Sequence, residues 1–195
     1  MHNHTLHSLP NAVRRSFGLV ALTLAATLVL GACGDEKTAA EKASDLLAKG
    51  LQAHQEQKLD EATKQYQKIL ELEPTNKFAL YNLGVIEQAQ GRPAEAEVHY
   101  RASIATDPAF SSALYNLALL RAAAGATDEA EALYRRAIDA NPQFADAHLN
   151  LGFLLRAKGE QAEGDESLRR AVELNASLKD RVGELPTTTT TTEAR

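Results

Sequence analysis

Tryptophan is absent from the 195 residues, cysteine and methionine occur once each, and aromatic residues make up 5 %. A single cysteine cannot close an internal disulfide or supply a paired-cysteine metal site. So few aromatics point to small-residue packing between helices rather than to an aromatic-rich binding barrel. Basic charge is also short: 21 Lys and Arg stand against 26 Asp and Glu, a formal charge of −5. Every acidic residue lies after Cys33, whereas Arg14 and Arg15 lie before it, so a chain starting at Cys33 would carry −7. No basic excess remains to track a phosphate backbone, which excludes nucleic acid as an expected partner. The remaining balance, 44 % hydrophobic and 24 % charged, fits a folded chain.

Catalytic signatures are missing too. After residue 33 the histidines are His54, His99 and His148, at no spacing used by helical metal ligands. There is no Gly-x-Ser-x-Gly elbow and no phosphate-binding glycine loop. Glu95, Glu97, Glu129 and Glu131 fall at solvated positions of helices, and a carboxylate pair needs a cleft to shift its pKa. The expectation is a protein that is not an enzyme and uses no metal, cofactor or small-molecule substrate.

What is present begins with an address. Arg14 and Arg15 precede an apolar run from Phe17 to Leu30, 14 residues long. That is short of the roughly 20 needed to span a bilayer, and small residues follow it, as in an export signal. His2, His4 and His7 fall inside this removable segment and drop out as a metal cluster. Directly after the run, Leu30-Gly31-Ala32-Cys33 resembles the bacterial lipoprotein processing box, whose cysteine is lipidated and becomes the new N-terminus. The alternative is a simple signal or anchor in which Cys33 is an ordinary small residue. The resemblance implies a cleaved signal peptide over 1–32 and a Cys33 carrying two or three acyl chains, because one chain binds membranes only marginally. It also implies a cell-envelope location on the extracytoplasmic side. Gly34 implies the outer membrane in a two-membrane bacterium; with one membrane, the anchor leaves the protein on its outer face. Residues 33–42 then read as the lipidated N-terminus and a polar tether.

From residue 43 the sequence repeats every 34 residues. Glu73-Pro74, Asp107-Pro108 and Asn141-Pro142 keep that spacing. So do Leu83-Gly84, Leu117-Ala118 and Leu151-Gly152, the alanines Ala62, Ala96 and Ala130, and the tyrosines Tyr66, Tyr100 and Tyr134. Within one unit Leu80, Leu83, Gly84 and Glu87 form a helical stripe with a small residue at its centre, where a second helix comes close. Gly91, Gly125 and Gly159 fall where a helix ends in a left-handed residue, and each Pro follows a second helix. Period and residues together resemble tetratricopeptide (TPR) repeats, paired antiparallel helices. The resemblance implies an all-α, right-handed superhelical solenoid of four units at 43–76, 77–110, 111–144 and 145–178.

Departures from the repeat sit mostly at its ends. Lys49 replaces the leucine of the other units, predicting a solvent-facing first unit, and His148 stands at a core-type position as a packed or rim residue. Unit four carries Gly164, Leu168 and Ala176 in place of alanine, tyrosine and proline, as terminal repeats do when they cap a stack. Leu178, Val182 and Leu185 keep helical spacing and predict a capping helix over 179–185. Pro186 ends it, and Thr187 to Thr192 open a tail with no material for a core, read as disordered or as a glycosylated stalk.

By the resemblance, the first helix of each unit lines the concave face. Asn82, Asn116 and Asn150 share one position there, and each amide can both donate to and accept from a peptide backbone. Tyr81, Tyr115 and Leu149, and Val85, Leu119 and Phe153, would supply an apolar floor. The same asparagines could instead stabilise packing between helices. Some family members clamp a partner's C-terminal carboxylate with basic groove residues; the matching positions here are Ser44, Phe78, Ser112 and Asp146, and only Arg156 comes near. The expected function is therefore a membrane-tethered adaptor or scaffold that binds an extended segment of an envelope protein. The alternative is an accessory subunit that docks a folded cell-wall or polysaccharide enzyme on its convex face, through residues such as Arg101, Arg135 and Arg136.

Overall fold

A computed structural model describes residues 37–186. The signal peptide, Cys33 and the start of the tether, and the threonine tail lie outside the described residues. The helices are α1 (Ala39–Gln55), α2 (Leu59–Leu72), α3 (Lys77–Ala89), α4 (Pro93–Thr106), α5 (Ser111–Ala123), α6 (Thr127–Ala140), α7 (Ala145–Lys158) and α8 (Gln161–Leu174). A 3₁₀ turn (Ala176–Leu178) and a single turn, α9 (Lys179–Val182), close the chain, and no strand occurs among the described residues. Each odd-numbered helix from α1 to α7 packs on the one after it, and successive pairs stack on each other, so the fold is a TPR-like helical solenoid.

Local chemistry sets the helix starts. At α1 the Thr38 hydroxyl accepts from Glu41 N–H at 3.2 Å while the Glu41 carboxylate accepts from Thr38 N–H at 2.7 Å, a reciprocal capping box. Asn76 caps α3 by accepting from Ala79 N–H at 3.0 Å, and Pro93 opens α4, where its missing N–H costs nothing. Helices α5 and α7 have no side-chain cap; Phe110 and Phe144 occupy those positions. Between the helices of units two to four, Gly91, Gly125 and Gly159 take positive φ, and Gln57 holds the same place in unit one at φ 59°.

Small residues let the paired helices approach. A Cβ added to Gly84 would lie 2.7 Å from the Tyr100 ring, and one on Gly50 would lie 2.5 Å from Tyr66. In unit three Ala118 and Tyr134 already occupy this arrangement, both buried. Unit four is tighter still: a Cβ on Gly152 would meet the Gly164 carbonyl oxygen at 2.8 Å, so two backbones touch where Leu168 replaces tyrosine. The core runs in three blocks, through α1–α3, through the middle of the stack, and around Leu149, Leu168, Ala171 and Leu178 at its end.

The C-terminal cap is shorter than the helix expected over 179–185. Gly183, at φ 72°, stops the helix after Val182. Leu178 is nonetheless buried, and Val182 and Leu185 lean on the same apolar end, so the cover is made by a turn and an extended strap. Lys49 is exposed, as its departure from the repeat predicts.

Candidate functional site

Adjacent first helices touch through the asparagines. Asn116 Nδ2 donates to Tyr81 Oη at 3.3 Å and reaches Tyr100 Oη at 3.4 Å, and Asn150 Nδ2 donates to Tyr115 Oη at 2.8 Å. Each bond joins one unit to the unit before it. Asn82 has no such partner, because the residue 35 places earlier is Leu47, and it donates instead to Phe78 O in its own helix at 2.8 Å. The three amides are thus equivalent in sequence but not in structure. In Asn116 and Asn150 the amide nitrogen is engaged by the fold, which leaves the amide oxygen to accept from a ligand. Burial raises the Tyr81 and Tyr115 hydroxyls above the ordinary tyrosine value, against the hydrogen bonds from Asn116 and Asn150.

Beside these bonds runs an aromatic wall. Phe110 meets Tyr81 edge-on at 5.2 Å and Phe78 at 5.6 Å, and Phe144 packs on Tyr115 at 4.7 Å. Lys77 lies 5.0 Å from the Phe78 ring centroid and 5.3 Å from that of Phe110 while pairing with Asp107. Phe110 and Phe144 escaped the sequence reading because they sit at the last position of a unit, outside the first helix. Their 34-residue spacing was the available signal.

The remaining groove positions divide by exposure. Val85 and Leu119 are half-buried against the central core, and Phe153 is 38 % exposed. Leu51, the matching residue of unit one, is 42 % exposed, and Phe78 is 43 % exposed. Large exposed apolar side chains therefore gather on first helices. Leu149 corrects the expectation made for it: it is fully buried with Leu168 and Leu178, because the closing turn covers the place that Tyr81 and Tyr115 leave open.

The other face is charged and internally satisfied. Arg101 donates to Glu97 at 2.8 Å and to Glu129 at 2.7 Å, and Arg121 also binds both carboxylates. One unit further on, Arg135 joins Glu131 and Glu163 in the same way, and Lys158 reinforces the clasp through Glu131 and Asp128. Hydrogen bonds from Arg101 hold the Glu97 and Glu129 carboxyls below their ordinary range. Arg136 lies apart and donates to Pro108 O. A hollow of about 670 Å³ between α6, α7 and α8 is lined by charges of both signs, among them Arg135, Arg170, Glu163 and Glu173. His148 lines it too, hydrogen-bonded to Pro142 O, its pKa lowered chiefly by burial. Among the described residues, no three His, Cys, Asp or Glu side chains come together to hold a metal ion, and no helix is long and apolar enough to cross a membrane.

No curated protein matches the chain in sequence. Among solved structures, the crystal structure of MamA is 24 % identical over 69 % of this chain and 79 % of its own, with a TM-score of 0.60. Pseudomonas aeruginosa PilF is 23 % identical over 74 % of this chain and 65 % of its own, TM-score 0.66. The first TPR of Spaghetti (RPAP3), bound to the HSP90 peptide SRMEEVD, is 24 % identical over 61 % of this chain and 94 % of its own, TM-score 0.57. These likenesses concern the fold. Tetratricopeptide repeat profiles match residues 47–109, 81–143 and 133–166, nearly the whole of the stacked helices. With repeat period, helix pairing and profile in agreement, the chain belongs to the tetratricopeptide repeat family.

Proposed function

We propose that the protein is a membrane-tethered adaptor whose first-helix face binds an extended segment of another cell-envelope protein. The carrying observation is the distribution of exposed apolar side chains. Leu51, Phe78 and Phe153 are large, solvent-facing and on first helices, alongside half-buried Tyr81, Val85, Tyr115 and Leu119. A contiguous apolar surface of this kind marks an interaction site. A neighbour of the same fold is bound to a peptide, which supports the mode of binding but not the ligand. The opposite face offers less. Arg101 and Arg135, which would carry a convex docking site, are occupied in clasps between units. The tether rests on Leu30-Gly31-Ala32-Cys33.

Crosslinking recovery of partners from cell envelopes tests the binding face. Wild type is compared with Leu51→Ser, Phe78→Ser, Phe153→Ser combined, after circular dichroism has shown both folded. These exposed positions are better probes than the asparagines, two of which join units. The partner should be lost from the variant; its undiminished recovery would reject the face. Cys33→Ala should release the protein from membranes and abolish the acyl mass, and unchanged fractionation without acyl mass in the wild type would reject the anchor.

A further inference from the structure

We infer that the segment this face accepts is an uncharged polyproline II stretch with an apolar side chain at every third residue. The inference rests on the binding face proposed above and adds the conformation and pitch of its occupant.

Leu51, Val85, Leu119 and Phe153 hold one register in the four units and cross α1, α3, α5 and α7 as a stripe. The direct bonds from Asn116 to Tyr81 and from Asn150 to Tyr115 place consecutive first helices in contact. Packed helices lie about 8–10 Å apart, which sets the step between apolar contacts. A polyproline II chain has three residues per turn and rises about 3.1 Å per residue, so one face returns about every 9.3 Å. An extended β-strand returns to one face at about 6.6 Å or 13 Å and falls out of step. An α-helix offers a match only every seventh residue, at about 10.5 Å.

Polar groups beside the stripe separate the two conformations that remain. The amide oxygens of Asn116 and Asn150 and the hydroxyls of Tyr81 and Tyr115 stand alongside the apolar row, with the asparagine nitrogens already used. An α-helix has satisfied its own backbone and has no use for such a row. A polyproline II backbone has no internal hydrogen bonds and presents unpaired N–H and C=O groups. Charge points the same way. Lys77 is paired with Asp107, Arg156 lies 3.5 Å from Asp165, and Arg181 lies 3.9 Å from Asp146, so the ions around this face are compensated. A segment carrying charge would lose hydration with no free counter-charge to meet it. Four apolar contacts require ten residues, about 28 Å of polyproline II chain.

The test measures fluorescence anisotropy with the full-length protein in detergent and three labelled peptides. The first has ten residues with leucine at 1, 4, 7 and 10 in a proline, serine and glutamine background. The second has the same composition with leucine at 1, 3, 5 and 7, and the third is an alanine-rich helix with leucine at every seventh place. The first should bind at least about tenfold more tightly than either other peptide, the discrimination expected for one well-buried apolar side chain. Phe153→Ser should weaken it about tenfold and abolish the benefit of the leucine at one end only, whereas Leu51→Ser should do so at the other end. Equal affinity for the first two peptides, tighter binding of the helix, or no binding of any would overturn the inference. A photoreactive residue at Leu119 separates this from failure of the face itself. If it crosslinks a native envelope partner while the peptides fail, only the pitch is wrong; if it crosslinks nothing, the binding face falls as well.

Discussion

The asparagines offer a sharp quantitative test, because three sequence-equivalent residues have different surroundings. Asn150 donates to Tyr115 at 2.8 Å across a half-buried boundary between units, while Asn82 donates to its own helix at an exposed site. A typical intramolecular hydrogen bond contributes about 0.5–1.5 kcal/mol net. Replacing asparagine by alanine in a helix regains roughly 0.5 kcal/mol of propensity, which masks part of that loss in a single variant. A double-mutant cycle with Asn150→Ala and Tyr115→Phe cancels the propensity effect and should report about 1 kcal/mol of coupling. Asn82→Ala should stay within about 0.5 kcal/mol of wild type. Urea unfolding followed by helical circular dichroism measures both, and a loss of 1 kcal/mol should appear as a fall of about 2–4 °C in Tm for a domain of this size. Coupling below about 0.3 kcal/mol, within the scatter of independent sites, would refute the argument that these amides join the units. Equal costs for Asn82→Ala and Asn150→Ala would refute it too.

Three further outcomes follow from neighbouring observations. The Tyr66 hydroxyl is buried without a partner, its pKa pushed up to about 12 by burial. Tyr66→Phe should therefore raise stability by about 1 kcal/mol, whereas Tyr100→Phe, which loses a bond to Gln88 of 2.8 Å, should lower it in the same urea titration. Gly84→Ala should cost little, because the added methyl meets a movable Tyr100 ring and unit three already holds Ala118 against Tyr134. Gly152→Ala should cost about 1–3 kcal/mol, since its methyl meets the Gly164 backbone oxygen at 2.8 Å; similar Tm values for the two variants would contradict this. Glu97 and Glu129 have depressed pKa values in the fold, so their stabilisation is present above the ordinary glutamate value near 4.3 and is lost as pH falls through it. Stability should therefore drop from about pH 5 downward, less steeply in Arg101→Gln.

The architecture was legible because its determinants are local and repeated. Gly84 and Ala96 must be small wherever two helices of a unit meet, and that demand recurs every 34 residues whatever lies between. The site was only partly legible because its contacts run between units. Nothing within the first repeat marks Asn82 as different from Asn116; the difference is made 35 residues away, where Leu47 stands instead of a tyrosine. Leu149 was misplaced for a similar reason, as the closing turn that buries it belongs to no repeat. Phe110 and Phe144 could have been found by their spacing, but their use as walls rather than caps depends on Tyr81 and Tyr115 in the preceding units.

Each first helix thus divides its labour by position along one face. The tyrosine and asparagine positions face the neighbouring unit and each other, so changing them alters how units stack before it alters what they bind. The position three residues beyond the asparagine contributes little to that joint; at the two ends of the stack, Leu51 and Phe153 stay exposed. Residues free of structural duty can change without unfolding the stack, and those are where specificity can be adjusted at low cost to the fold. This ordering explains why a fully conserved scaffold pattern in the repeat, Ala62 with Ala96 and Ala130, coexists with four different side-chain choices on the stripe, Leu51, Val85, Leu119 and Phe153, graded from branched aliphatic to aromatic along the stack. It also implies that the two ends of a bound segment meet unlike pockets, an aliphatic one at α1 and an aromatic one at α7, so the face distinguishes the direction in which a chain lies across it.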